Sequence, residues 1–118
     1  MQKLKQQTFN DGIVNIYTAG NTANDGDMPK EGLTIKESGL RYEERTVGMT
    51  RFWAAAQANV KIDLILRTPL IREISTQDIA IPIDGKQYSI EQVQYPKDVT
   101  PPSMDLSLQR LEQEYETN

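Results

Sequence analysis

The stretch Asp78–Tyr95 (DIAIPIDGKQYSIEQVQY) constrains the fold of this chain most. Ile79, Ile81 and Ile83 recur at every second position, the period of a half-buried strand. Asp84-Gly85 then interrupts the run. That pair suits a two-residue type I′ turn, whose central positions both need positive φ. Past it, Tyr88 and Ile90 continue one face, and Val93 with Tyr95 the other. The change of phase predicts a β-bulge near Glu91–Gln92. Pro82 has no N–H to give to a ladder, so it belongs at an edge or facing outward. An isolated hairpin is marginal in water, so other segments must supply further strands.

The stretch Leu40–Leu66 (LRYEERTVGMTRFWAAAQANVKIDLIL) organises the rest as strand, short helix, strand. In Leu40–Val47, Leu40, Tyr42, Glu44 and Thr46 share one face and Arg41, Glu43, Arg45 and Val47 the other. That polar alternation marks a strand at an edge or an interface. Met49, Phe52, Trp53 and Ala56 follow at i, i+3, i+4 and i+7, the stripe of an amphipathic helix between Gly48 and Asn59. Val60–Thr68 is a strand with Val60, Ile62, Leu64 and Leu66 toward the core. Lys61, Asp63, Ile65 and Arg67 form its mostly wet face, and Pro69 ends it.

Gly12–Thr18 (GIVNIYT) is a first strand after the Asp11-Gly12 turn signal, with Ile13, Asn15 and Tyr17 opposite Val14, Ile16 and Thr18. Ala19–Glu37 is crowded with turn formers and is expected to be a long irregular loop. Its centre, Asn24, Asp25, Gly26 and Asp27, is the candidate mobile loop, either a solvated surface feature or a segment that orders against a neighbouring subunit. Leu70–Thr76 connects as helix or extended chain. Pro96–Ser103 is a stiff extended linker. Met104–Leu111 is a last strand running into a polar tail. The fold class is therefore mainly β: a small antiparallel β-barrel or sandwich of five or six strands, one short helix and a long polar loop. It is one domain over residues 1–118, with an ordered core of about 12–111 and flexible tails.

Composition narrows the function. The chain has neither Cys nor His. It thereby lacks the usual general base, zinc ligand and thiolate nucleophile, and we read it as a non-enzyme without metal or cofactor. Thirteen basic residues are scattered among 17 acidic ones for a net charge of −4, which disfavours a phosphate-neutralising surface. Neither a membrane span nor a signal peptide is recognisable, so the expected site of synthesis is a cytoplasm. No glycine-rich phosphate loop occurs, and Asp25-Gly26-Asp27 lacks the remaining offsets of a calcium loop. Glu43 and Glu44 are neighbours on a strand and point apart, so Arg41 and Arg45 are their natural partners. Phe52 with Trp53 is a binding platform or, more simply, the anchor of the helix on the sheet. Arg51, Arg67 and Arg72 are a basic patch or ordinary surface cations paired with carboxylates.

The order of these elements, with the block RTVGMTRFWAAAQANVKIDLILRTP and the hairpin IAIPIDGKQYSIEQVQYPKD, resembles the head-closure (head–tail joining, or stopper) proteins of long-tailed bacteriophages. The resemblance spans about Ile13 to Leu111. It is carried by Phe52, Trp53 and Ala54–Ala58, the strand Lys61–Arg67, and Asp84, Gly85, Lys86, Tyr88, Ile90 and Val93 of the hairpin. It implies a small β-barrel or sandwich that forms a homo-oligomeric ring beneath the portal and adaptor rings. That ring joins the DNA-filled head to the tail and, in some members, closes the DNA channel with a mobile loop. The implied partners are further copies of the chain, portal or adaptor proteins, tail or tail-terminator proteins, and packaged DNA without sequence specificity. The implied location is the host cytoplasm during assembly and then the virion.

The resemblance places the gate in Thr46–Asn59. The candidate channel or subunit-interface residues are Thr46, Val47, Gly48, Met49, Thr50, Arg51, Phe52 and Trp53. Because the segment has a helical stripe rather than a bare loop, it either plugs a channel or packs on its own domain. Two alternatives stand beside the connector: a tail-terminator or tail-completion ring protein, and an OB-type nucleic-acid-binding barrel with Tyr42 and Tyr88 on its sheet.

Overall fold

A computed structural model of the chain describes residues 5–21, 26, 31–46 and 61–115. These form eight strands: β1 (Lys5–Gln6), β2 (Gly12–Asn21), β3 (Glu31–Arg45), β4 (Leu64–Pro69), β5 (Asp78–Ile81), β6 (Tyr88–Gln94), β7 (Val99–Thr100) and β8 (Ser103–Arg110). Six of them close into a barrel in the order β2-β3-β4-β8-β6-β5, and β5 returns to β2. All the barrel pairings are antiparallel. The two shortest strands, β1 and β7, pair in parallel outside the barrel. The chain is thus mainly β, and among the described residues none is helical.

Alternation explains the closure. Val14 and Ile16 of β2, Leu40 and Tyr42 of β3, Leu66 of β4, Ala80 of β5, Tyr88 and Ile90 of β6, and Met104, Leu106 and Leu108 of β8 point inward and form one core. Each Leu or Ile buried this way contributes about 1.5–3 kcal/mol. The ends of the barrel follow from the strand directions. At the lower mouth β2, β4 and β6 begin and β3, β5 and β8 end; at the upper mouth the reverse holds. The connection 70–77 stoppers the upper mouth, with Ile74 buried and Leu70 and Ile71 packed on the core. Two tight turns, Ile74 N to Ile71 O and Asp78 N to Ser75 O, set its path.

Several expectations need correction. The irregular loop predicted over Ala19–Glu37 is largely ladder: β2 reaches Asn21, β3 starts at Glu31, and the two pair out to Asn21↔Glu31. Cross-strand pairing here overrides the turn propensity of Gly20 and Gly32, which face each other in the ladder. The strand expected from Leu40 is the second half of β3. Asn15 faces a bulge at Ser38–Gly39, where Gly39 adopts φ +69° and donates its N–H to Asn15 Oδ1. β4 begins at Leu64 rather than Val60, and its outward face is not wet. Ile65 is wholly buried and Arg67 is 7 % exposed, and Arg67 is capped by Gln7 from outside the barrel.

The β5–β6 turn also differs from the expected type I′. Gly85 N bonds Pro82 O, so Ile83-Asp84 are the central residues and only Gly85 takes positive φ, at +76°. The bulge between Ile90 and Gln92 lies where the change of phase put it. The linker before β8 carries β7 and a cis Thr100–Pro101 bond. The helix expected over 48–59 lies outside the described residues.

Candidate functional site

Three places on the barrel carry polar organisation: the lower mouth, the upper arm, and a strap along one side.

At the lower mouth the Tyr88 hydroxyl donates to Asp84 Oδ2 at 2.9 Å. Burial and that neighbouring carboxylate push the phenol up to about 12. Burial also raises Tyr42, with Glu44, Asp84 and Asp11 adding to it. A cleft of about 460 Å³ opens beside Tyr88, between Lys61, Asp63 and Arg110. Asp63 holds its rim: Oδ2 accepts the Arg110 N–H at 2.8 Å and Oδ1 lies 3.4 Å from Lys61 Nζ. Gln87 clasps the C-terminal segment nearby. Its side-chain amide donates to Tyr115 O and accepts from Tyr115 N, both at 2.8 Å.

The upper end carries the arm in which β2 and β3 run on past β5 as a two-stranded ribbon. Lys36 ties it to the barrel through Asp78 Oδ2 at 2.9 Å. Ile35 stands exposed on β3 just below the arm, opposite Tyr17, and Ile13 is exposed lower, on β2.

The strap is residues 5–11, laid over the outer face of β3, β4 and β8. There Glu43, Arg67 and Asp105 stand in one cross-strand row. Arg67 makes a two-point pair with Asp105, Nε to Oδ1 at 2.7 Å and Nη2 to Oδ2 at 3.0 Å. Such fork-to-carboxylate geometry is the strong form of this bond. Gln7 completes the row: its Oε1 accepts from Arg67 Nη1 at 3.0 Å and its Nε2 donates to Glu43 Oε2 at 2.7 Å. That bond, followed by the Arg45 guanidinium, holds the Glu43 carboxyl below its ordinary range. The strap is fixed further by Gln7 N to Thr100 O and by Asp11 N to Tyr42 O.

The sequence-derived candidates map unevenly onto these places. Thr46 is exposed at the lower mouth, and Lys61, where the described chain resumes, lies at the same mouth. Val47, Gly48, Met49, Thr50, Arg51, Phe52 and Trp53 lie outside the described residues. So do Asn24, Asp25 and Asp27; Gly26 is exposed with φ +89°. Glu43 has Arg45 as partner, as expected. Arg67 is no surface cation but a buried one, and Arg72 sits over the Tyr95 ring at 5.6 Å. Tyr42 and Tyr88 are core residues, at 5 % and 7 % exposure, so neither offers a stacking face to a base. Sequence reasoning missed Gln7 and Gln87 entirely, since a lone glutamine carries no periodic signal.

Among the described residues no three acidic groups converge as a metal site would need. Nor is any helix among them long and apolar enough to cross a membrane. What the three places hold is two phenols with raised proton affinity, paired cations, and segments held by amide clasps. No protein-family model matches the chain, and no curated protein matches it.

Proposed function

We propose that this chain is a structural head–tail connector subunit of a phage or prophage, forming a ring that joins the DNA-filled head to the tail. The observation that carries the reading is the position of the described residues that flank the two segments singled out in the sequence. Asn21 and Glu31, which flank the first loop, are paired at the tip of the upper arm; Thr46 and Lys61, which flank the second, lie at the lower mouth. A ring needs two unlike surfaces on each subunit, because head-to-tail contacts alone repeat around an axis. A closed barrel has no free edge to offer in its wall, so contacts fall to arms, mouths and straps. The acidic balance supports a conduit that lets a duplex slide instead of gripping it.

The test is to delete residues 48–58 in a phage background that carries this gene. A gate predicts heads that package DNA and then leak it; insoluble protein instead points to a core element. Gene neighbours decide the setting. Portal and capsid genes on one side and tail genes on the other are expected, and a lone gene among metabolic ones overturns the reading.

A further inference from the structure

The strap is held by a seat more elaborate than seven surface residues need. Its centre, Gln7, is 5 % exposed and spans a negative–positive–negative row, of which Arg67 and Asp105 are each 7 % exposed. Residues 5–7 are fixed by contacts to the outside of the barrel: Glu43, Arg67, Thr100 and the β1–β7 pairing Lys5↔Val99 and Gln6↔Thr100. None of these is a ladder bond of the six-stranded ring, whereas Asp11, bonded to Tyr42 O and Glu44 N, stays with the wall, so the segment ahead of it can lift and leave the ring intact. Thr8, Phe9 and Asn10, between Gln7 and β2, have no regular structure, and Thr8 and Asn10 are exposed. A cavity of about 230 Å³ lies where this hinge meets the wall, bounded by Phe9, Asn10, Gly12, Ile13 and Arg41. The seat is therefore closely fitted at Gln7 and loosely fitted at the hinge.

We infer that the strap is an exchangeable arm: in an assembly of copies, residues 5–10 of one chain occupy the Glu43–Arg67–Asp105 seat of the next. The same contacts form whichever copy supplies the glutamine, which is the condition for low-cost swapping. Extended, residues 5–10 reach about 20 Å from the hinge, enough to cross to the side of an adjoining barrel. The contact is directional, arm to seat, so repetition of it closes a ring or runs on as a filament. The inference rests on the connector reading for its setting and supplies one lateral contact for that ring.

Because the chain has no cysteine, a Gln6→Cys/Thr100→Cys variant reports the arm's position cleanly. Both positions are exposed and are ladder partners. In dilute solution oxidation is expected to give an internally bridged monomer. As the protein approaches the roughly millimolar effective concentration of a short tether, or is held in an assembly, a ladder of covalent dimers and higher multimers should replace it on non-reducing gels. Adding Gln7→Ala should thin both products. Only internally bridged monomer at every concentration and in every assembly overturns exchange, and so does the absence of any bridge. A ladder from a chain that joins no heads would sink the connector reading alone. Working connectors without a ladder would sink exchange alone.

Discussion

Asp105→Ala is the most informative single change. It removes both bonds to Arg67 and leaves a guanidinium 7 % exposed, with only Gln7 Oε1 and the nearby Glu43 charge to answer it. Breaking one half of a buried pair costs about 3–5 kcal/mol, most of it the stranded charge and not the lost attraction. With an unfolding entropy of about 0.25 kcal/mol/K for 118 residues, the melting temperature should fall by about 12–20 °C. Replacing both partners, as Arg67→Met with Asp105→Leu, should cost far less than the single change, because no charge is left behind. Urea unfolding followed by far-ultraviolet circular dichroism measures both, and the four-member cycle isolates the coupling. An Asp105→Ala loss below about 1 kcal/mol would refute the argument that the pair is sealed from water. A double variant as unstable as the sum of the singles would refute the argument about the stranded charge.

Three further outcomes are expected. Gly12→Ala places a Cβ 2.6 Å from the Tyr42 hydroxyl oxygen and 2.8 Å from its ring, so the ring must move, at about 1–3 kcal/mol by thermal melting. Tyr88 is raised when folded, so its share of stability is complete below the ordinary pKa of 10 and is lost as pH climbs through about 12; absorbance of its phenolate should appear only with alkaline unfolding, and earlier titration of all five tyrosines would contradict this. Glu43 is lowered, so its contribution is present above the usual 4.5 and fades as pH falls through the folded value; Glu43→Gln should flatten the stability profile in that acid range, and an unchanged profile there would count against the Gln7 bond.

How much of this was legible in the sequence depends on how far each cause lies along the chain. β8 and the inward faces of β2 and β6 announce themselves, since Met104, Leu106 and Leu108, or Tyr88 and Ile90, alternate against a single core. The bulge at Glu91 is equally local. The first half of β3 was hidden because Glu31–Glu37 holds few apolar residues and takes its order from pairing with β2. Ile65 and Arg67 look wet in the sequence, because alternation assigns one face to the core and the other to solvent. Gln7, which caps Arg67, is 60 positions away. The lower-mouth residues Asp84 and Tyr88 fell within the predicted hairpin, yet alternation says nothing of their hydrogen bond. Gln87 and Tyr115 are 28 positions apart and offer no pattern at all.

The seam between β2 and β5 also governs how this molecule comes into being. Tyr17 must find Ile79, and Thr18 must find Asp78, before the wall is complete. Such partners are distant in sequence, so loop entropy is spent before any contact rewards it, and folding belongs in the millisecond-to-second range. Until that seam shuts, β2 and β5 stand as two bare edges, each able to take a strand from another nascent chain. Speed of closure, more than final stability, then sets how much of a fresh population escapes misassembly. Stopped-flow refolding at rising protein concentration reads that competition directly.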